Sequence, residues 1–333
     1  MQNMSSGESL ASLIRQFMTS KAILTACELD IFTILAQMPR AAASLAEEKG
    51  CDHRALTRLL DCLVTLDLLV KEQGIYRPTE QGELLSSGHE ESLLPMAMHM
   101  NHTWNNWHHL TEAVQKGENP AMHRGSEFEG EEQKSFIEDM HAGARRISRN
   151  IAREYNADSF QRLLDIGGGS GAYTIAFLEE NPHMEAILFD LEGVIPIARD
   201  KVRQAGLEAR VQFTHGDYYN QELPRGCDLA LLSAIIHQNS PEENLDLLSK
   251  IYRALEPGGR LLIRDYIMDE DRIKPAGGAM FALNMLVNTR GGDTYTFAEV
   301  EAGLQQAGFR RIHAIRTGAE SHGRMDYLVE ARK

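Results

Sequence analysis

The residues best suited to chemistry begin in LLDIGGGSGAYT, Leu163–Thr174. An apolar run that fits a buried strand meets Gly167, Gly168, Gly169 and Gly171 and then a helix-forming stretch. Glycines let a backbone turn tightly and approach a ligand where a β-carbon would stand in the way. The helix start after Gly171 aims unsatisfied N–H groups at a polar ligand. Asp165, just ahead of the glycines, is placed to accept hydrogen bonds from the turn or, through water, from an ammonium group. Asp190 closes the next apolar run, 25 positions after Asp165, where a carboxylate can accept both hydroxyl protons of a ribose. Gly216 and Asp217 follow a third run, the glycine permitting close approach and the carboxylate suited to an adenine amino group. Tyr218 offers a flat surface to the base, and Leu191 and Ser233 complete this set of cofactor-side candidates.

Such a set asks for a nucleoside. GGGSG departs from the GxGxxG spacing that brings a helix end under a pyrophosphate, so a donor with one nucleoside and an amino-acid tail fits better than a nicotinamide dinucleotide. Farther along, His237 follows the apolar CDLALLSAII and precedes the helical SPEENLDLLSKIYRAL. Strand ends in an open α/β sheet face the ligand crevice, and an imidazole there can remove a hydroxyl proton. Trp104, Trp107 and His108, with Met280 and Asn284, are candidates for the wall of a planar or apolar acceptor's site, ordinary packing being the alternative. His99, His102, His108 and His109 lack an HExxH or acidic-ligand pattern, and Cys27, Cys51, Cys62 and Cys227 are scattered, so no metal is expected and reduced thiols are.

Two kinds of scaffold must position these groups. RLLDIGG, EAILFDL, VQFTHGD, CDLALLSAII, GRLLIRDYI and DYLVEARK are strand candidates separated mostly by helical stretches, the pattern of an α/β sheet covered on both faces. This places a cofactor-binding domain at 155–333, reached through one long helix, EEQKSFIEDMHAGARRISRNIAREY. Residues 1–154 read as mainly helical: two helices over 9–37, a short helix, a turn at Gly50, a helix over Arg54–Leu66, and a hairpin around Glu72–Thr79. That order outlines a winged helix. A single helix is expected over 91–118 and a loop over 119–130. A winged helix can enter a major groove, yet Arg54, Arg58 and Lys71 are accompanied by Glu47, Glu48, Asp52, Asp61 and Asp67. The whole chain of 333 residues carries 34 Lys and Arg against 48 Asp and Glu, a formal charge of −14, which opposes binding to a phosphate backbone. A structural or dimer-forming role is favoured, with no nucleic-acid partner. No stretch reaches the roughly 20 apolar residues of a membrane span, and MQNMSSGES lacks a secretion-signal pattern. A cytoplasmic protein without a membrane partner is expected.

The order of motifs over nearly the whole chain resembles the class I S-adenosylmethionine-dependent methyltransferases, specifically small-molecule O-methyltransferases with an N-terminal winged-helix dimerisation domain. The resemblance runs through SKAILTACELDIFTIL, YRPTEQGELL, DIGGGSG, LFDLEGV, HGDYY, AIIH, IYRALEPGGRLLIRDY and FALNMLVNTRGGDTYTFAEVEAGLQQAGF. It implies a Rossmann-like catalytic domain, S-adenosylmethionine as cofactor, a homodimer formed through the N-terminal helices, and a small-molecule acceptor held between the two domains. It implies His237 as general base, Asp265 as the acid that orients it, and Asn284 in the acceptor site. The chain departs from the family in Gln238 and Asn239, where an Asp-Trp pair is usual, and in Thr294, where a glutamate follows the Gly-Gly pair; Asp293 stands one position away. The implied reaction is direct displacement at a sulfonium methyl group by a hydroxyl, phenolic or otherwise cyclic. Methylation at sulfur, nitrogen or carbon, or a non-catalytic ligand-responsive DNA-binding or interaction protein, are the alternatives.

Overall fold

The computed structural model describes residues 6–122, 130–316 and 325–333. By backbone proximity the chain divides into two units, Met1–Asn105 and Asn106–Lys333. In the first, α1 (Ser6–Glu28) and α2 (Ile31–Gln37) are separated at Asp30, whose φ of 57° no helix continues through. After β1 (Arg40–Ala41), α3 (Ala42–Lys49) stops at Gly50, and α4 (His53–Thr65) starts where the Asp52 carboxylate accepts the Ala55 N–H at 2.8 Å. Leu56, Leu60 and Leu63 put the apolar stripe of α4 into the core beside Phe32, Leu35, Leu45 and Tyr76. The hairpin β2 (Leu69–Glu72) and β3 (Ile75–Pro78) gains β1 as an antiparallel third strand, a pairing that the two residues of β1 are too short to announce. Lys71 of the wing is engaged within the unit, 2.7 Å from the Asp61 carboxylate that also receives the Tyr76 hydroxyl. A short α5 (Glu80–Glu83) follows, capped by Thr79.

The segment 91–118 is two helices rather than the one expected. These are α6 (Leu94–His108) and α7 (Leu110–Lys116), parted at His109, where φ is −90° and ψ is 9°. A pattern of periodic apolar positions does not register one non-helical residue between two helices. Of the loop expected at 119–130, residues 123–129 lie outside the described residues, and Gly130 already opens α8 (Gly130–Glu154). Residues 106–154 cluster with the α/β unit.

That unit continues through β4 (Arg162–Ile166), α9 (Ala172–Glu180), β5 (Glu185–Asp190), α10 (Ile195–Gln204), β6 (Val211–His215), β7 (Cys227–Ser233), α11 (Pro241–Ala254) and β8 (Leu255–Asp265). It ends with β9 (Ile267–Met268), α12 (Ala276–Asn288), β10 (Tyr295–Thr296), α13 (Phe297–Ala307), β11 (Arg310–Arg316) and β12 (Tyr327–Arg332). Among the described residues seven strands form one sheet in the order β11-β12-β8-β7-β4-β5-β6, parallel from β6 to β8 and antiparallel at β12 and β11. The strand order reverses beside β4, and such a switch point opens a crevice at the carboxyl ends of the strands. Alternate residues serve the two faces. Leu164, Ala230, Leu232, Leu261 and Ile263 pack under Leu247 and Ile251 of α11 and Leu304 of α13, whereas Leu163, Leu188, Leu229, Leu231 and Leu262 pack under Ile151 of α8, Phe177 of α9 and Val202 of α10. Among the described residues no helix is long and apolar enough to cross a membrane.

Candidate active site

A cavity of about 200 Å³ opens at the crevice beside β4. Its wall includes Asp165, Gly167, Gly168, Gly169, Asp190, Leu191, Gly216, Asp217, Tyr218 and Ser233. Gly171, the remaining cofactor-side candidate, sits behind it as the cap of α9. The loop between β4 and α9 is tied to the end of β5: the Phe189 carbonyl accepts the Gly167 N–H at 2.8 Å, and the Asp190 carboxylate accepts the N–H groups of Gly169 and Leu191, each at 2.7 Å. Gly169 holds φ +56° and faces open space where a β-carbon would stand, so the backbone there is left bare for a ligand. A carboxylate has about four lone-pair sites, and Asp190 retains acceptor capacity beyond its two backbone donors. Burial pushes its carboxyl up to about 6. Asp165 is driven up to about 6 for the same reason, partly offset by the Thr174 hydroxyl at 2.7 Å. Asp217 is committed locally, accepting the Tyr219 N–H at 2.9 Å and the Asn220 amide at 2.6 Å. Lys250 reaches the Tyr218 and Tyr219 carbonyls at 2.7 and 3.0 Å and fixes that loop from below. The buried Asp165, the half-buried Asp190, a bare glycine loop and the Tyr218 ring on one cavity fit an adenosine with a short charged tail.

His237 lies in a one-turn helix, Ile236–Gln238, between β7 and α11. The start of α11 is fixed by a reciprocal cap between Ser240 and Glu243, with Pro241 in its first turn. The His237 Nδ1 stands 2.8 and 3.0 Å from the two oxygens of Asp265, both residues buried. One of those oxygens also accepts the Tyr266 N–H at 2.8 Å, so the carboxylate cannot turn away. With the Nδ1 proton directed at Asp265, Nε2 carries the lone pair. The Phe281 ring meets the imidazole edge-on, 4.8 Å between centroids. His237 itself is outside the wall of the cavity, whereas its neighbours Ile235 and Gln238 are in it. A β-carbon on Gly292 would collide with the His237 carbonyl oxygen, which accounts for a glycine at that point of the late Gly-Gly pair.

The acceptor-side candidates belong to both units, Trp104 to the first and the others to the second. Trp107 and Asn284 meet, the indole N–H donating to Asn284 Oδ1 at 2.9 Å, and Asn288 donates to the same oxygen at 2.9 Å. Trp104 packs against the core of the N-terminal unit, with Lys21 Nζ 5.2 Å from its ring. His108 is exposed, edge-on to His109, and Met280 is exposed as well. Asp293 pairs with Arg272 at 3.3 Å, and Thr294 is buried. Asn239 accepts the Tyr219 hydroxyl at 2.5 Å and donates to Asn244 at 3.0 Å, so this departure from the family pattern braces the turn that carries His237.

Sequence reasoning passed over several residues of the cavity wall. Phe136, Ile137, Met140 and Ala144 line it from α8, and Tyr173 and Arg264 from α9 and β8. The first four share one helical face by their spacing, and an arginine inside the apolar run RLLIRD was itself a signal.

A family model of the O-methyltransferase domain matches residues 107–310, and a model of the O-methyltransferase dimerisation domain matches residues 11–88. Acetylserotonin O-methyltransferase of Bos taurus is 31% identical, covering 91% of this chain and 92% of its own. The tetracenomycin polyketide synthesis 8-O-methyl transferase of Streptomyces glaucescens is 29% identical, covering 91% of each. Among solved structures, human N-acetylserotonin methyltransferase in complex with S-adenosylmethionine is similar with a TM-score of 0.82 at 28% identity, covering 100% of this chain and 99% of that one. The chain therefore belongs to the O-methyltransferase family with an N-terminal dimerisation domain, and it is an S-adenosylmethionine-dependent methyltransferase.

Proposed function

We propose that His237 is the general base for methylation of a phenolic or other cyclic hydroxyl. The observation that carries this reading is the buried bond from His237 Nδ1 to Asp265 at 2.8 Å, which supports an Nε2 free to take the acceptor's proton and a carboxylate that stabilises the resulting imidazolium. S-adenosylmethionine, when bound, supplies a methyl group already activated by its sulfonium. The chain then has three tasks: to bind, to align and to remove one proton. Asp190 takes the ribose hydroxyls, Asp217 and Tyr218 the adenine, and Asp165 the ammonium of the tail, with Gly167, Gly168, Gly169, Gly171, Leu191, Gly216 and Ser233 shaping the backbone around them. Asn284 presents its amide N–H groups to the acceptor while Trp107 and Asn288 hold its oxygen; His108 and Met280, exposed on the same unit, are the remaining proposed acceptor contacts. Aromatic acceptors are favoured by the names of relatives that act on acetylserotonin and on a tetracenomycin polyketide.

The protein acts as a homodimer in the cytoplasm in this reading. The match to a dimerisation domain and the exposed apolar face of α1, Leu10, Leu13, Ile14, Phe17 and Met18, support the dimer. The test is acceptor-dependent formation of S-adenosylhomocysteine over a panel of phenols, amines and thiols, with the new methyl located by mass spectrometry and NMR. Phenyl ethers are the expected products. Methylation of amines or thiols alone would overturn the O-methyl reading, and duplex binding without turnover would favour a regulatory protein.

A further inference from the structure

Among the described residues Arg264 is a buried cation without a counter-ion. It is 8% exposed, and among the described residues it makes no ion pair or side-chain hydrogen bond; its Nε is buried without a partner. The nearest compensation is the Tyr173 ring, 5.9 Å from the guanidinium carbon, at the outer limit of a cation–π contact. No neighbouring carboxylate among the described residues pairs with it. Asp265, next in sequence, emerges on the opposite face of β8 and is held by His237 and Tyr266, and Asp165 accepts both the hydroxyl and the N–H of Thr174.

Two buried hydroxyls accompany it. Ser233 is paired with Arg264 across β7 and β8, so the two side chains leave the sheet on one face. The Ser233 Oγ and the Tyr173 hydroxyl are both buried, within reach of each other and of no third group among the described residues. Arg264, Ser233 and Tyr173 all line the cavity that also holds Asp165, Asp190 and the glycine loop. A buried charge is tolerated when something pairs with it, and a donor-only guanidinium with two hydroxyls that can each turn an O–H outward suits a planar anion.

We propose that Arg264, Tyr173 and Ser233 form the subsite for the α-carboxylate of the cofactor's methionine tail, the guanidinium binding it through two parallel N–H bonds. The proposal rests on S-adenosylmethionine occupying this cavity. The charges of the tail then sort themselves: ammonium toward Asp165, carboxylate toward Arg264. The adenosine end, at Asp190 and Asp217, is untouched by Arg264, so the residue discriminates ligands by their tails.

The test is calorimetric titration of S-adenosylhomocysteine and of 5′-methylthioadenosine, which keeps the nucleoside and sulfur but lacks the amino-acid tail, into wild type, Arg264→Met and Arg264→Lys. Arg264→Met is expected to weaken S-adenosylhomocysteine roughly 10- to 100-fold, the span of one charge-assisted bond, with methylthioadenosine changed less than about twofold. Arg264→Lys keeps the charge but not the fork and is expected to fall between. The melting temperature of ligand-free Arg264→Met should equal or exceed that of wild type, because an unpaired buried charge is gone, while the rise on adding S-adenosylhomocysteine shrinks. Unchanged S-adenosylhomocysteine affinity, or equal loss for both ligands, would overturn the subsite; if Arg264→Met does not fold, equal loss in Arg264→Lys does the same. Wild type binding methylthioadenosine as tightly as S-adenosylhomocysteine would overturn the subsite alone, whereas wild type binding neither would overturn the assignment of the cavity to the cofactor.

Discussion

Asp265 Oδ1 stands 2.8 Å from the Nδ1 of His237 and accepts the Tyr266 N–H, also at 2.8 Å. The imidazole is thereby fixed in orientation and tautomer by a residue that cannot rotate. Asp265→Asn replaces an acceptor that stabilises imidazolium with a neutral amide, and kcat is expected to fall about 10²–10⁴-fold. The affinity for S-adenosylhomocysteine should stay within about twofold of wild type, because neither residue lines the cofactor cavity. Parallel kinetics and calorimetry check both halves.

Gly292 sits against the peptide that carries His237. Gly292→Ala introduces a methyl group where the His237 carbonyl oxygen already lies, so one of the two segments must move. The expected result is a loss of about 10²-fold in kcat, the scale of a misplacement near 1 Å, with cofactor affinity preserved. Equal losses in both quantities would show a general disturbance of the unit.

Cofactor affinity should depend on pH through Asp165 and Asp190, whose carboxyls burial lifts from 3.8 to about 6. Binding uses their charged forms, so affinity is flat above about pH 6 and falls as pH drops below it, about tenfold per unit for each proton taken up. Asp190→Asn removes one proton from that slope and weakens binding at neutral pH. Ligand-free stability carries the opposite sign. A carboxyl raised in the fold binds protons more readily than in the unfolded chain, so these two groups favour folding below 3.8, and that contribution is lost as pH rises through about 6. Calorimetry and thermal melts across this range separate the two effects.

The exposed side chains of α1 recur at positions 10, 13, 14, 17 and 18, each between 52% and 64% exposed, which is one helical stripe. A stripe of this kind marks an association surface. Wild type is expected at twice 37.3 kDa by light scattering, and Leu13→Asp with Phe17→Asp at 37.3 kDa. A wild-type monomer at micromolar concentration would remove the homodimer from the account.

Much of the scaffold was legible because local chemistry and burial agree. Gly50 ends α3, Asp52 opens α4, and the apolar runs of β4, β5, β7 and β8 are the buried strands they read as. β11 was not legible, since RRIHAIR is an edge strand whose arginines mask any apolar alternation. The break at His109 depends on tertiary packing, with α7 lying against α12, and no residue there is a helix breaker. The glycine loop, Asp190 and His237 were visible as motifs followed by turns, whereas Arg264 was not singled out because its meaning lies in which atoms fail to reach it. Trp104 and Trp107 illustrate the limit of spacing: three residues apart on α6, one packs against the N-terminal core and the other bonds Asn284.

The most direct test of His237 as a base is the His237→Gln rate deficit measured over a series of accepted phenols of graded acidity. A base matters when the acceptor must lose its proton in the reaction and ceases to matter when the acceptor arrives ionised. The account predicts a deficit of about 10²–10⁴-fold for phenols with pKa near 10, shrinking toward unity for those near 6. A deficit that stays constant across the series would contradict it and leave His237 as a residue that only positions the acceptor.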